Sequence, residues 1–173
     1  MSRRAFGQLA VLGAAGTAVL GCGGPSTQGS PASSPAGNTS GHNIGFVLAH
    51  EQFRTDDLVR QAVAAEQAGF RYVWASDHIQ PWQDNEGHAM FPWFTLALVG
   101  QRTNRISFGT GVTCPIYRYD PAVIAQAFAS LAILTPGRVF LGVGTGERLN
   151  EQAATTQFGP YTERHDRLVE AIY

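Results

Sequence analysis

The run VWASDHIQPW, Val73 to Trp82, ends a strand-like stretch on an acid and a histidine side by side, Asp77 and His78. A second run, GVGTGERLNE, ends another strand-like stretch on Thr145, Gly146 and Glu147. A histidine titrating near neutrality and a carboxylate converging on one cavity are the parts needed to move a proton on and off a substrate. An isolated Asp-His pair is more simply a cap, with the acid accepting backbone N–H groups and the ring packed on Trp82. His50 also ends a strand and is expected to be buried and hydrogen-bonded, while His88 and His165 read as surface residues. No two histidines have metal-ligand spacing, so no metal site is expected. No serine sits in a nucleophile elbow, and Cys114 before Pro115 reads as a small packing residue. The glycines of GVGTGERLNE miss a dinucleotide fingerprint, because G-x-G-x-x-G from Gly142 would need glycine where Glu147 stands. They still allow close approach to a flat ligand or an anion, or a turn that needs only free φ.

What gives these residues weight is their position in a repeating pattern. Short apolar runs over Asn43–His50, Arg71–Ser76, Arg105–Val112 and Arg138–Gly144 alternate with helical periodicity. Leu58, Ala62 and Ala65 share one helical face, with Thr55 as cap and Gly69 as stop. A second helix is expected from about Trp93 to Arg102, and a third after Asp120 as cap and Pro121 in the first turn. The last begins at Tyr161. Strands alternating with helices imply a parallel α/β sheet, either an open doubly wound sheet or part of a (β/α)8 barrel. Both place chemistry at the carboxyl ends of the strands, where Asp77, His78, Cys114 and Glu147 lie. The loop holding Trp82, Phe91, Trp93 and Phe94 is expected to wall a planar or apolar ligand there.

The first 42 residues differ in kind. Arg3 and Arg4 precede a short apolar stretch ending in VLGC, Val19 to Cys22. Residues 1–22 read as a signal peptide with a twin-arginine start and a lipobox-like end, so that Cys22 would be lipidated and the protein exported to the cell envelope. Residues 23–42, GGPSTQGSPASSPAGNTSGH, hold too little apolar surface to offset their ordering entropy and read as a tether. A disulfide between Cys22 and Cys114 is not expected, since they lie in different kinds of segment. The net charge of −1 carries no basic cluster past the N-terminus, which excludes a nucleic-acid partner. All basic side chains are arginine.

The stretches SDHIQPW, GHAMFPWF, RTNRISFGTGV, YRYDPAVIAQAFASL and GRVFLGVGTGERLNE together resemble the coenzyme F420 (8-hydroxy-5-deazaflavin)-dependent glucose-6-phosphate dehydrogenases. These belong to the luciferase-like superfamily of (β/α)8 TIM barrels, and the resemblance covers nearly all of residues 43–173. The twin-arginine, lipoprotein-like start is similar to the exported branch of that family, which oxidises hydroxymycolic to ketomycolic acids. The resemblance implies an oxidoreductase transferring hydride from a secondary alcohol, lipid or small molecule, to the deazaflavin. It implies His78 and Glu147 as the catalytic pair, with Trp82 lining the pocket. Asp77, Gly111, Val112, Cys114, Thr145, Gly146 and Asn150 are implied as cofactor contacts, with a cis peptide at Gly111–Val112. Gly111 stands where the sugar-phosphate enzymes carry serine, and Cys114 where they carry threonine.

A complete barrel needs eight βα units, and the pattern supplies four. Residues 43–173 are therefore expected to form the N-terminal half of the barrel, the chain being a fragment or truncated product. Open strand edges and apolar inner faces are expected to favour pairing with a second copy as a homodimer. Glucose 6-phosphate oxidation, or a half-barrel lipoprotein without turnover, are the alternative functions.

Overall fold

The computed structural model describes residues 43–173; the expected signal peptide, the expected tether and Cys22 lie outside the described residues. The strands are β1 (Gly45–Leu48), β2 (Tyr72–Ala75), β3 (Ser107–Thr113) and β4 (Val139–Val143). The helices are α1 (Thr55–Gln67), α2 (Pro92–Arg102), α3 (Pro121–Leu134), α4 (Arg148–Thr155) and α5 (Tyr161–Ile172). All strand pairs are parallel, and the spatial order is the chain order, β1-β2-β3-β4. A doubly wound sheet reverses its strand order at a switch point. This one does not, so of the two architectures the pattern allowed, the barrel half is the one formed.

The register explains which residues are core. Leu48 pairs with Ala75, and Val73 with Phe108. All four are fully buried against Leu58, Ala62, Leu96, Val99, Ile124 and Phe128 of the helices. Alternation sends the intervening residues to the other face of the sheet, where Val47 is 45% and Tyr72 36% exposed. α1 buries Leu58, Ala62 and Ala65 as its periodicity predicts. Its cap differs from expectation: Arg54 occupies the N-cap without a side-chain bond, and Thr55 instead meets Thr95 Oγ1 at 3.0 Å. Gly69 does end the helix, in the left-handed region at φ +88°. Asp120 caps α3 by accepting the Ala122 N–H at 2.8 Å. α3 is apolar nearly all round yet buries only Ile124, Phe128 and Leu131, leaving Val123, Ile133 and Leu134 exposed.

Two local features shape the carboxyl end of the sheet. The β3–β4 register shifts between Thr110 and Thr113, and the cis peptide Gly111–Val112 lies within that shift. A side chain at Gly111 would begin 2.5 Å from Trp74 Cδ1, so only glycine lets the bulge sit against the indole. The short helix α4, with buried Asn150 and Glu151, is an element that the periodicity reading passed over as loop.

Candidate active site

Three acidic or basic side chains from three strand ends meet. The carboxyl end of β1 runs into His50 and Glu51, that of β2 into Asp77 and His78, and that of β4 into Glu147 at the N-cap of α4. His78 lies between two carboxylates: Nδ1 is 2.9 Å from Glu51 Oε1 and Nε2 is 3.0 Å from Glu147 Oε1. The Nδ1 contact is close but oblique, and neither atom gains an aligned hydrogen bond from it. A neutral imidazole carries a single N–H. Both contacts are therefore attractive at once only when the three groups together hold an extra proton, on the ring or on a carboxylate.

Each member is held. Ser76 Oγ donates to Glu51 Oε2 at 2.9 Å and accepts the His50 N–H at 3.2 Å. Burial raises the Glu51 pKa, but His78 beside it and the hydrogen bond from Ser76 outweigh it and leave the carboxyl below its ordinary range. Asn150 donates through Nδ2 to Glu147 Oε1 at 2.8 Å. Its Oδ1 accepts the N–H of Ile79 at 2.7 Å. The Glu147 side chain is 33% exposed, and among the described residues its Oε2 has no hydrogen-bond partner. Trp82, 58% exposed, stands edge-on to His78 with ring centroids 5.0 Å apart.

Asp77 does something different from His78 beside it. Strand alternation turns it inward, where its side chain is fully buried. Its carboxylate accepts Thr113 Oγ1 at 2.6 Å, Arg118 at 3.0 Å and Tyr119 Oη at 3.1 Å. These bonds brace β3 and the β3–α3 loop beneath the site. Burial, and then the Asp77 charge, push the Tyr119 phenol well above its usual range. Cys114 is likewise buried, and burial followed by the Glu151 charge raises its thiol pKa to about 12. At that value it is a packing atom, not a nucleophile.

Of the residues named from sequence, the fold brings His78, Glu147, Trp82 and Asn150 together. Val112, Thr145 and Gly146 lie at the same end, with Val112 42% exposed on the bulge. His50 is fully buried, bonded to Leu48 O at 3.1 Å and Thr95 Oγ1 at 2.8 Å, and burial lowers its pKa. Among the loop aromatics, Trp93 turns inward onto Tyr119, centroids 4.9 Å apart, and Phe128, while Phe94 is 71% exposed on α2. Of the four, only Trp82 packs against His78, so the wall is narrower than the sequence suggests.

The sequence reading missed Glu51 and Arg164. Glu51 follows His50 at a strand end, the position that singled out Asp77 and Glu147, and that placement was its signal. Arg164 reaches back from α5 and donates to the carbonyls of Thr145 at 2.9 Å and Gly146 at 3.0 Å. Its guanidinium lies 4.3 Å from the Phe158 ring centroid. Gly146 needs a left-handed φ of +69° in this turn, and a Cβ there would meet Glu151 and Ile116.

Known proteins are similar to this chain in sequence and fold. The F420-dependent hydroxymycolic acid dehydrogenase of Mycobacterium tuberculosis is 71% identical over 99% of this chain and 47% of its own length. The F420-dependent glucose-6-phosphate dehydrogenase of Gordonia bronchialis is 53% identical over 75% of this chain and 39% of its own. Among solved structures, an F420-dependent secondary alcohol dehydrogenase in complex with an F420-acetone adduct superposes with a TM-score of 0.74. It is 39% identical, over 75% of this chain and 39% of that one. The chain thus spans about half the length, or less, of the curated relatives it matches. With four parallel βα units in barrel order and the profile of the luciferase-like monooxygenases matched over residues 30–173, the chain belongs to the luciferase-like monooxygenase family.

Proposed function

We propose that the protein is an exported, F420-dependent oxidoreductase that oxidises a secondary alcohol, with a hydroxylated long-chain lipid of the hydroxymycolic acid class as substrate. The observation that carries this reading is His78 held between Glu51 and Glu147. Oxidising an alcohol removes a hydride from carbon and a proton from oxygen. Loss of hydride builds positive character on carbon, so a base must already be taking the proton. His78 with its ring deprotonated is that base, and the carboxylate on either side stabilises the imidazolium that results. Glu147, with one oxygen free and a third of its side chain exposed, is the group able to give or take a second proton at a bound ring.

Coenzyme F420, when bound, supplies the hydride acceptor. The residues present fit a flat ring. Val112 stands exposed on a bulge that glycine at 111 makes possible, and Thr145, Gly146 and Glu147 form a turn beside it. Asp77, Cys114 and Asn150 are all buried, so they shape this site from beneath.

Two relatives favour two substrates. The hydroxymycolic acid dehydrogenase matches 99% of the chain and so takes in the N-terminal segment with its twin arginine and Cys22, whereas the sugar-phosphate dehydrogenase matches 75%. That supports export, anchoring through a lipidated Cys22 at the cell envelope, and a lipid alcohol. The exposed apolar side chains of α3 support assembly with a second copy as a homodimer. Glucose 6-phosphate remains the second reading, on the 53% identity. The discriminating experiment follows loss of deazaflavin absorbance in the intact protein with a hydroxymycolate and with glucose 6-phosphate. Reduction by the lipid alone supports the first reading, and reduction by the sugar phosphate alone supports the second.

A further inference from the structure

We infer that Glu86, on the loop between β2 and α2, is a positioning residue that holds Trp82 against His78 and so governs how tightly the alcohol is bound. The inference rests on the functional reading above. Glu86 is half-buried and closes a turn in which its N–H donates to the Gln83 carbonyl at 3.1 Å. Its carboxylate reaches back over that turn. Oε2 accepts the N–H of Trp82 at 2.8 Å and that of Gln83 at 3.2 Å. Oε1 accepts from Gln52 Nε2 at 3.4 Å, across to the loop that follows β1. Gly87 then takes a left-handed φ of +76°, and the turned chain brings the His88 N–H to 3.1 Å from the Glu51 carbonyl. The Trp82 loop is thus fastened to the segment that carries Glu51, through a side chain at Gln52 and through the backbone at Glu51.

Trp82 needs such a hold. Its ring is 58% exposed and meets His78 edge-on, with centroids 5.0 Å apart. A single edge contact fixes a ring poorly when most of its surface faces water. The place of the indole then depends on where its backbone is held. A carboxylate suits that task, because it accepts only, and its charge-assisted bonds to N–H groups are about twice as strong as neutral ones. In the functional reading the indole stands beside the base that takes the alcohol proton. Its exposed face is then the surface on which the carbons flanking the carbinol pack. Contact made equally in the ground and transition states lowers KM and leaves kcat alone. Loosening this wall therefore acts on KM, the opposite split from loss of His78.

Glu86→Ala removes the hold and leaves Trp82, His78, Glu51 and Glu147 unaltered. In the intact protein, KM for a hydroxymycolate at saturating deazaflavin is expected to rise about tenfold, the low end of the scale for one charge-assisted bond. kcat is expected to stay within about threefold of wild type. Acrylamide quenching of the Trp82 emission, taken as the difference from Trp82→Phe in each background, is expected to increase. Glu86→Gln, which keeps an acceptor oxygen at the same reach without the charge, should fall between the two in both measurements. If the alanine variant loses cooperative unfolding, Glu86→Gln is read alone, with a smaller change in the same direction expected. Unchanged KM with unchanged quenching would overturn the inference and leave Glu86 as a turn cap. A fall in kcat at constant KM would overturn it too, by placing Glu86 in proton transfer. The quenching measurement needs no turnover. A wild-type protein that reduces no deazaflavin with any alcohol, while Glu86→Ala still frees Trp82, would instead refute the functional reading.

Discussion

Glu51 Oε1 lies 2.9 Å from His78 Nδ1, on the opposite side of the ring from Glu147. β1 and β2 are neighbours in the sheet, and Glu51 and His78 follow their carboxyl ends. The parallel pairing of those strands thus creates the contact. In the proposed function, Glu51 would stabilise the imidazolium that forms when His78 takes up a proton.

Glu51→Gln keeps the shape and removes the charge. Turnover is expected to fall by about ten- to a hundredfold with deazaflavin affinity nearly unchanged. The same variant has a stability signature. The folded carboxyl holds its proton less tightly than the ordinary value of 4.5. A depressed carboxylate contributes stability that is complete above its unfolded pKa and lost as pH falls through the folded one. The difference in melting temperature between wild type and variant should therefore be flat near neutrality and close below pH 4.5. A difference that widens on acidification would contradict this account of Glu51.

Glu151 carries the opposite sign. It is fully buried, with Oε2 accepting the Arg118 N–H at 3.0 Å and Oε1 unpartnered. Burial raises its pKa. A carboxyl with a raised folded pKa adds stability below its unfolded pKa and loses it as pH rises through the folded one. Glu151→Gln is expected to gain in melting temperature relative to wild type across a series of buffers of rising pH above the ordinary carboxylate range. Thermal scans across that series check it, and a gap that shrinks with pH would be contrary.

Much of this was legible in the sequence. Four apolar runs at regular intervals gave the parallel strands, and the strand ends gave His78 and Glu147, because a period of two and a helix cap are local properties. What the pattern could not yield was contact between elements. Asp77 and His78 are adjacent in the chain, yet the pleat sends one into the core and the other to the mouth. Glu51 enters the site only once β1 and β2 are in register. α4 escaped notice because its stripe is short, with Asn150 and Glu151 buried where an apolar residue would be expected. Polar residues there hide the helix from a hydrophobic pattern while supplying the site.

Arg164 should matter to cofactor affinity. It donates hydrogen bonds to two carbonyls of the Thr145–Gly146 turn, and without it those carbonyls lose charge-assisted partners. Arg164→Met is expected to weaken deazaflavin binding by about tenfold, the low end of the scale for one such bond. Arg164→Lys should recover only part of the loss, since one ammonium replaces a planar fork. Equal binding by wild type and the methionine variant would show that the turn holds its shape unaided.

Cys114 is expected to be inert. With its thiol pushed up to about 12 and its side chain buried, it should resist alkylation at pH 8 until the protein unfolds. Mass spectrometry after iodoacetamide treatment, native and denatured, reads this directly. Rapid modification of the native protein would mean an exposed thiolate.

The central claim is that His78 takes the substrate proton, and the direct measurement is pre-steady-state deazaflavin reduction by a secondary alcohol in wild type and His78→Ala, beside cofactor affinity for both. The account predicts that reduction slows by about 10²–10⁴-fold, the usual scale for losing a general base, while affinity stays within a few fold. Wild-type reduction rates in the variant, or a collapse of cofactor binding with the rate intact, would contradict it.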